Sequence, residues 1–270
     1  MELRCGQVKY HDFAKIHETA VIHSGARLGS NVEIGPYSVI GENVKIGSGT
    51  TIGSYTQIEG WTRIGENNHI FDEVSIGLPP QHLEYEGEKT FLYIGDNNVL
   101  REYVTIHRGT VDGGGETRIG NNNFLKAYSH VAHDCNLGNQ ITLGDSANLA
   151  GHVTVENDAF ISQLVGIHQF VKIGQLSRVE SHSKVIKDLP PYIRVRGHPA
   201  QVDGINEQGL KEKGFSEGLK EEIKKAYNIL YKSDYNITQA IDIMDQELQT
   251  SEEIEHLMRF LKSSTRGICR

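Results

Sequence analysis

The sequence predicts a parallel β-helix made of hexapeptide repeats, followed by a smaller α-helical domain. An aliphatic residue returns at every sixth position, eleven times from Ile16 to Ile76 and twelve times from Ile119 to Val185. This period fits neither the 3.6 residues of a helical turn nor the alternation of an ordinary strand. Glycines and Asn pairs, which tolerate tight corners, recur between these positions. Three such hexads form one triangular coil of a β-helix.

The composition excludes several classes of protein. The 270 residues carry a formal net charge of −8, so there is no general basic footprint for nucleic acid. No window approaches the length and apolarity of a membrane span, and the first twenty residues lack the apolar core of a signal peptide. The three cysteines show no metal-type spacing, which suits a reducing compartment. We therefore expect a cytoplasmic protein without an integral membrane segment.

The repeat and its two interruptions predict the domain boundaries. Residues 1–15 form a polar N-terminal extension, and the coil covers residues 16–190. Counting on in sixes from Ile76 would bury His82 and Glu88, which do not belong in a core, so residues 78–93 are predicted to leave the coil as a loop. A glycine run marks a second loop at residues 111–118. Excursions from a solenoid usually carry binding residues or an interface.

The repeat is predicted to end at Pro190-Pro191, and residues 191–270 are predicted to form a C-terminal helical domain. Apolar residues recur there at helical spacing in three stretches, each after a possible N-cap. The predicted caps are Ser216, Thr238 and Thr250, the last in a capping box with Glu253. We interpret the apolar stripes as core.

One corner of the predicted coil carries the residues best suited to catalysis. Eighteen residues make one coil, so Gly151 stacks on His133, and Gln169 follows one coil later; His152 and His168 lie beside this column. A histidine can accept a proton near neutral pH, and Asp134 could orient His133. A glycine N–H at the same corner could hold a developing oxyanion. This combination predicts direct acyl transfer to a hydroxyl or amine, with Cys135 as a packing residue and not a nucleophile.

Two other classes of function remain open on the residues alone. Several histidines on stacked coils could bind zinc or iron, as in a metal-dependent hydratase of the hexapeptide-repeat type. A purely structural or binding solenoid is also possible, but it leaves the interruptions and the corner histidines unexplained. For His130, a structural and a functional role are equally supported.

Seven segments resemble the UDP-N-acetylglucosamine O-acyltransferases that begin lipid A synthesis. They are Val104–Thr110, His130–Cys135, Ala150–Val153, His168–Phe170, Asp188–Tyr192, Gly214–Ser216 and Ser264–Gly267. The resemblance implies a left-handed β-helix, a homotrimer with sites between subunits, an acyl carrier protein thioester as donor, a UDP-sugar as acceptor and no cofactor. It also implies that His133 is the general base and the Gly151 amide the oxyanion donor. The residues implied to line the cleft are Gln81, His82, His130, His152, His168 and Gln169, with Asn206 near the nucleotide.

Three features of this chain bear on its substrates. Members of the family usually carry Asp where this chain has His82, and often a basic residue where it has Glu212. Both differences concern the acceptor, so a paralogue that acylates another nucleotide sugar, such as a 3-amino sugar, is the alternative. The stretch around Arg178 and Ser181 corresponds to the part that measures the acyl chain in the family. Arg178 in that stretch predicts a groove that closes early, and hence a shorter or hydroxylated acyl group.

Overall fold

The computed structural model describes residues 14–270, so Cys5 and most of the predicted N-terminal extension lie outside the described residues. The first 26 strands are short and follow one another along the chain. They are β1 Lys15–Ile16, β2 Val21–Ile22, β3 Arg27–Leu28, β4 Glu33–Ile34, β5 Val39–Ile40, β6 Lys45–Ile46, β7 Thr51–Ile52, β8 Gln57–Ile58, β9 Trp61–Ile64, β10 His69–Ile70, β11 Ser75–Leu78, β12 Phe91–Ile94, β13 Val99–Leu100, β14 Thr105–His107, β15 Glu116–Ile119, β16 Phe124–Leu125, β17 His130–Val131, β18 Asn136–Leu137, β19 Thr142–Leu143, β20 Asn148–Leu149, β21 Thr154–Val155, β22 Phe160–Ile161, β23 Gly166–Ile167, β24 Lys172–Ile173, β25 Arg178–Val179 and β26 Lys184–Val185.

These strands form three parallel sheets, the faces of a triangular prism. Every third strand belongs to the same sheet, and residues eighteen apart are paired, as in Ile16 with Ile34 and His130 with Asn148. The sheets contain eleven, nine and eight strands among the described residues. His130 in β17 lies in the nine-stranded sheet, and the corner that carries His133 leads from it into β18 of the eight-stranded sheet.

The hexad positions form the core, as the period predicts. From Leu28 to Val185 they are at most 4% exposed, whereas Ile16 and Ile22 at the open first coil are only partly buried. The corners need left-handed backbone, and Asn67, Asn97 and Asn122 supply it with φ values of 53–58°. Asn tolerates this region better than most residues, which explains why Asn recurs in the sequence.

Both interruptions of the repeat are loops, although the strands that follow them begin earlier than predicted and the second loop itself begins at residue 108 instead of 111. β12 begins at Phe91 and β15 at Glu116, so the loops cover residues 79–90 and 108–115. Residues 91–93 and 116–118, predicted as loop, are in strands because their main chain pairs with the neighbouring coils. The first loop is held by the imidazole of His107, whose Nδ1 lies 2.7 Å from the Pro79 carbonyl oxygen.

The sheet continues past Pro190-Pro191, contrary to the prediction. β27 (Ile193–Gly197) pairs in parallel with β25, and β28 (Ala200–Ile205) returns antiparallel to it, both within the eleven-stranded sheet. Four helices follow: α1 Glu207–Glu212, α2 Glu217–Tyr231, α3 Ile237–Glu247 and α4 Glu252–Ser263. No helix of the described residues is long and apolar enough to span a membrane.

The helix ends agree with the prediction at one of three caps. Ser216 caps α2, but Asn236 instead of Thr238 caps α3, in a capping box with Gln239. Ser251 instead of Thr250 caps α4, so the predicted box with Glu253 is wrong. α1 is a fourth helix that was not predicted, because it has six residues and buries only Leu210. The apolar faces of the helices pack together and against Leu176 and Tyr192 of the coil, and they form a second core.

Candidate active site

His133 and Asp134 form a hydrogen-bonded pair at the predicted corner. The Nδ1 atom of His133 lies 2.7 Å from Oδ2 of Asp134, whose side chain is fully buried. Asp134 has a left-handed backbone (φ 61°), and its N–H donates to Oγ1 of Thr117 in β15. This corner conformation directs the carboxylate towards the histidine preceding it. Because Asp134 accepts at Nδ1, the Nε2 atom of His133 keeps its lone pair and can accept a proton.

Gly151 lies against the His133 ring, one coil further along. A Cβ atom at Gly151 would come 2.7 Å from Cε1 and 3.0 Å from Nε2 of His133, so any side chain there would displace the imidazole. The coils are joined at this corner by the His152 N–H, which donates to the His133 carbonyl oxygen at 3.0 Å. Among the described residues the N–H of Gly151 has no acceptor. A backbone donor thus remains free beside the histidine.

A cavity of about 650 Å³ opens at this corner and brings together most of the predicted site residues. Gln81, His130, His133, Gly151, His168 and Gln169 all line it. His82 and His152 flank His133 edge to face, with ring centroids 5.4 and 5.3 Å from its own. His152 in turn stacks on Phe170 at 4.3 Å.

Burial keeps three histidines around His133 neutral, namely His107, His130 and His152. Burial, together with smaller effects of the nearby His107 and His133, lowers the pKa of His130 to about 4. Burial likewise lowers the pKa of His107 and His152. Burial alone would raise the pKa of Asp134, but hydrogen bonds from His133 and Thr110 outweigh it and hold that pKa below its ordinary value. The ionised carboxylate of Asp134 therefore lies among neutral imidazoles at His107, His130 and His152.

His130 is tied into the sheet as well as exposed to the cavity. Its Nδ1 lies 2.7 Å from Oγ1 of Thr105, and its ring centroid is 5.3 Å from that of His107.

Cys135 is buried, its thiol contacts the Ala150 carbonyl oxygen at 3.2 Å, and burial raises the pKa of this thiol to about 12. Such a thiol is a poor nucleophile. This environment agrees with the packing role predicted for Cys135.

Asn206, Arg178 and Ser181 are not brought to this cavity within one chain. Asn206 caps α1, donates to the Leu176 carbonyl oxygen at 2.8 Å and lines a separate depression with Arg178 on the eleven-stranded sheet. The Arg178 guanidinium lies 4.4 Å from the Phe160 ring centroid and pairs with Glu180 at 2.9 Å. Arg178 is two and a half coils from His133, and this half coil moves it to another face. Ser181 occupies the next corner and is half-buried.

A metal ion at this corner would need the carboxylate of Asp134, whose oxygens already accept hydrogen bonds. Ligand atoms of His133, Asp134 and His152 lie within 4.8 Å of one another. However, both oxygens of Asp134 accept hydrogen bonds of 2.7 Å, from Thr110 and from His133. A cation there would have to displace these donors. The arrangement therefore favours the His133–Asp134 pair over a metal centre.

Several residues of the site were not predicted from the sequence. His182, Lys184 and His198 line the far end of the cavity, and Arg108 anchors the first loop. Lys184 could have been found, since it follows His130, Asn148 and Gly166 in one register of the nine-stranded sheet. His198 could not, because it precedes the turn into β28, which the repeat does not describe.

Family models match both ends of the chain. Residues 188–269 match a family described as UDP-N-acetylglucosamine O-acyltransferase, domain 2. Residues 13–48 match the bacterial transferase hexapeptide, six repeats.

Curated relatives carry one common name, acyl-(acyl-carrier-protein)–UDP-N-acetylglucosamine O-acyltransferase. The protein from Halorhodospira halophila is 44% identical over 77% of this chain and 81% of its own length. The one from Thermodesulfovibrio yellowstonii is 48% identical over 77% and 80%.

Solved structures share the fold. LpxA from Acinetobacter baumannii superposes with a TM-score of 0.93 at 41% identity, covering 94% of this chain and 99% of that one. LpxA from Bacteroides fragilis, described as a UDP-N-acetylglucosamine acyltransferase, gives a TM-score of 0.92 at 41% identity over the same shares. The predicted fold class, a left-handed parallel β-helix with a C-terminal helical domain, is confirmed. Its handedness is an exception to the usual right-handed crossover.

Proposed function

The chain belongs to the UDP-N-acetylglucosamine O-acyltransferase family, and on that premise we propose how it works. It transfers an acyl group, which can be 3-hydroxylated, from acyl carrier protein to the 3-hydroxyl of UDP-N-acetylglucosamine in lipid A synthesis. The observation that supports this most strongly is the His133–Asp134 pair placed against Gly151 at the mouth of one cavity. Neither a metal nor an enzyme-bound acyl group is needed for the reaction.

His133 acts as the general base. Its Nε2 accepts the proton of the sugar hydroxyl as the oxygen attacks the thioester carbonyl carbon. The imidazolium that forms is stabilised by the ionised Asp134 at Nδ1, 2.7 Å away. A positioned base of this kind contributes on the order of 10²–10⁴ in rate.

Gly151 stabilises the tetrahedral intermediate. The free N–H of Gly151 donates to the oxyanion that develops on the former carbonyl oxygen. The intermediate then collapses, the carbon–sulfur bond breaks and the proton on His133 passes to the leaving thiolate of the carrier. The products are the acylated UDP-sugar and the free carrier thiol, and His133 returns to its neutral form.

The first loop and the histidine-lined wall bind the acceptor. Gln81 and His82 approach the corner from the loop, while His130, His168 and Gln169 line the coil side and His152 flanks His133. His82 as a neutral imidazole can accept a hydrogen bond from a sugar hydroxyl, as a carboxylate would. We therefore propose UDP-N-acetylglucosamine, which carries a 3-hydroxyl, as the acceptor, with a 3-amino sugar as the alternative.

A homotrimer completes the site. In a closed ring of three subunits, one face of a subunit meets a different face of the next. The cavity lies at the nine-stranded sheet and the depression with Asn206 and Arg178 lies at the eleven-stranded sheet. Such a ring would bring Asn206, near the nucleotide, together with Arg178 and Ser181, beside the acyl chain, into the cleft of a neighbouring subunit.

The cytoplasm is the compartment we propose for this reaction. Cys135 and Cys269 are both free and buried, and burial raises the pKa of Cys269 to about 11. Free thiols such as these two, the cysteines of the described residues, suit a reducing compartment.

A product analysis tests the proposed function. The protein is incubated with one acyl carrier protein thioester and either UDP-N-acetylglucosamine or its 3-amino analogue, and the products are weighed by mass spectrometry. We expect acylation of the hydroxyl sugar, with His82→Asp as the variant that reports on acceptor choice. Exclusive acylation of the amino sugar would support the alternative acceptor. Turnover of neither sugar would contradict the proposed function.

A further inference from the structure

The second interruption of the repeat lies next to the catalytic pair. The loop at residues 108–115 leaves the coil at the corner that directly precedes Asp134 in the stack, between β14 and β15. Thr110 of this loop is 5% exposed and makes two hydrogen bonds to Asp134. Its N–H donates to Oδ1 and its hydroxyl to Oδ2, each at 2.7 Å. These bonds engage both oxygens of the carboxylate.

The loop is built to hold Thr110 in place. The Gly115 N–H donates to the Thr110 carbonyl oxygen at 2.7 Å, and the Gly113 N–H donates to its hydroxyl oxygen at 3.1 Å. Gly114 and Gly115 have φ values of 99° and 83°, which L side chains rarely adopt. A Cβ atom at Gly113 would come 2.0 Å from Cγ of Asp134, so the loop packs directly on the carboxylate.

From this geometry we infer that Thr110 is a positioning residue for the acyl transfer and that the loop of residues 108–115 exists to supply it. With Thr110 on one side and His133 on the other, the Asp134 carboxylate has one orientation. That orientation fixes the Nδ1–H tautomer of His133 and turns Nε2 towards the cavity. Thr110 does not contact the reacting atoms and acts on them through Asp134 and His133.

Asp134 without the hydroxyl of Thr110 would keep only one donor from the loop. The hydrogen bond that is lost has an ionised carboxylate as its acceptor, and such a bond is stronger than one between neutral groups. The carboxylate could then rotate, and His133 would lose its fixed orientation. A threonine that served only to pack the corner would not affect the histidine proton.

Thr110→Val tests the inference, with Thr110→Ser and Thr154→Val as controls. Valine keeps the shape and the N–H but removes the hydroxyl, whereas serine keeps the hydroxyl. Thr154 in β21 is half-buried and lies two coils beyond the loop that carries Thr110. It makes no side-chain hydrogen bond among the described residues. The first readout is the proton NMR signal of the His133 Nδ1–H, identified by its loss in Asp134→Asn. This readout needs no substrate, so it stands even if the proposed function, on which the role in acyl transfer rests, fails.

We expect Thr110→Val to shift this signal upfield and speed its exchange, and to lower kcat by about tenfold or more with little change in KM. Thr110→Ser should retain both properties, and Thr154→Val should match the wild type. Gly113→Ala, whose added methyl group meets the Asp134 carboxylate while the Thr110 hydroxyl is retained, should reproduce the effect of Thr110→Val. A wild-type signal in Thr110→Val, or a loss in kcat without any change in the signal, would overturn the inference.

Discussion

At the scale of single residues, His130 shows how burial beside the catalytic pair affects stability. Burial lowers its folded pKa to about 4, below the ordinary value of 6.5. The unfolded chain therefore binds the proton more tightly, and the free energy of unfolding falls as the pH drops from about 6.5 to 4. Between pH 7 and pH 5 this residue should account for a loss of up to about 2 kcal/mol.

His130→Asn should make the free energy of unfolding less dependent on pH in that window. His69 is the matched control, because its Nδ1 also meets a threonine hydroxyl, of Thr51 at 2.6 Å, but its side chain is exposed. His69→Asn should leave the slope unchanged. Urea unfolding at pH 7 and pH 5 measures both. An equally steep slope in His130→Asn would mean that other groups cause the acid sensitivity.

Arg178 makes a second residue-level prediction, about the acyl chain. Its guanidinium is already paired with Glu180 and lies over Phe160, so it can form a fixed end to a groove. Each methylene left in water forfeits about 0.8 kcal/mol, and four would cost roughly a hundredfold in selectivity. A series of carrier thioesters differing by two carbons should show this step, and Arg178→Met should move it to longer chains. A preference for fourteen or more carbons, unchanged by Arg178→Met, would contradict the role in chain length.

At the scale of the element, the first loop positions the acceptor side of the site. Arg108, which is 7% exposed, donates to the Tyr85 hydroxyl from Nε at 3.1 Å and from Nη2 at 2.7 Å, and to the Gly77 carbonyl oxygen at 2.8 Å. Tyr85 in turn donates to the Glu88 carbonyl oxygen at 2.6 Å. One buried guanidinium thus joins the coil to the loop that carries Gln81 and His82.

Tyr85→Phe should loosen this loop. The Arg108 guanidinium loses one acceptor that served two of its donors, at a cost of about 1–3 kcal/mol. We expect KM for the acceptor sugar to rise severalfold while kcat changes little, in steady-state assays. The control is Tyr55→Phe, an exposed tyrosine stacked on Tyr37 away from the site. An unchanged KM in Tyr85→Phe would show that the loop is held by other contacts.

The repeat explains which parts of the site could be predicted. Eighteen residues per coil place Gly151 on His133 whatever the side chains do, so the catalytic corner follows from the period. The period cannot describe where a loop folds back, and Thr110 was therefore missed as a partner of Asp134. Asn206 and Arg178 were assigned to the site on resemblance, and the half coil that separates Arg178 from the His133 corner moves it to another face. The prediction of Thr238 as the cap of α3 was wrong because Asn236 and Thr238, two residues apart, are both good N-cap residues.

At the scale of the whole molecule, the separation of the two depressions is the basis of the proposed trimer. The chain has a mass of 30.1 kDa, and sedimentation should give a stable particle of three times that mass. Activity per subunit should fall when dilution dissociates the trimer, because in the proposed assembly each cleft is formed by two chains. A stable and fully active monomer would remove the shared cleft.

His133→Ala is the most direct test of His133 as the general base of a direct acyl transfer. With acyl carrier protein thioester and UDP-N-acetylglucosamine, the variant should lose about 10²–10⁴-fold in kcat while its thermal unfolding stays close to that of the wild type. The wild type should keep its rate after treatment with a chelator. Full activity of His133→Ala, or loss of wild-type activity on chelation with recovery on added zinc, would contradict this role of His133 and favour a metal centre at His133, Asp134 and His152.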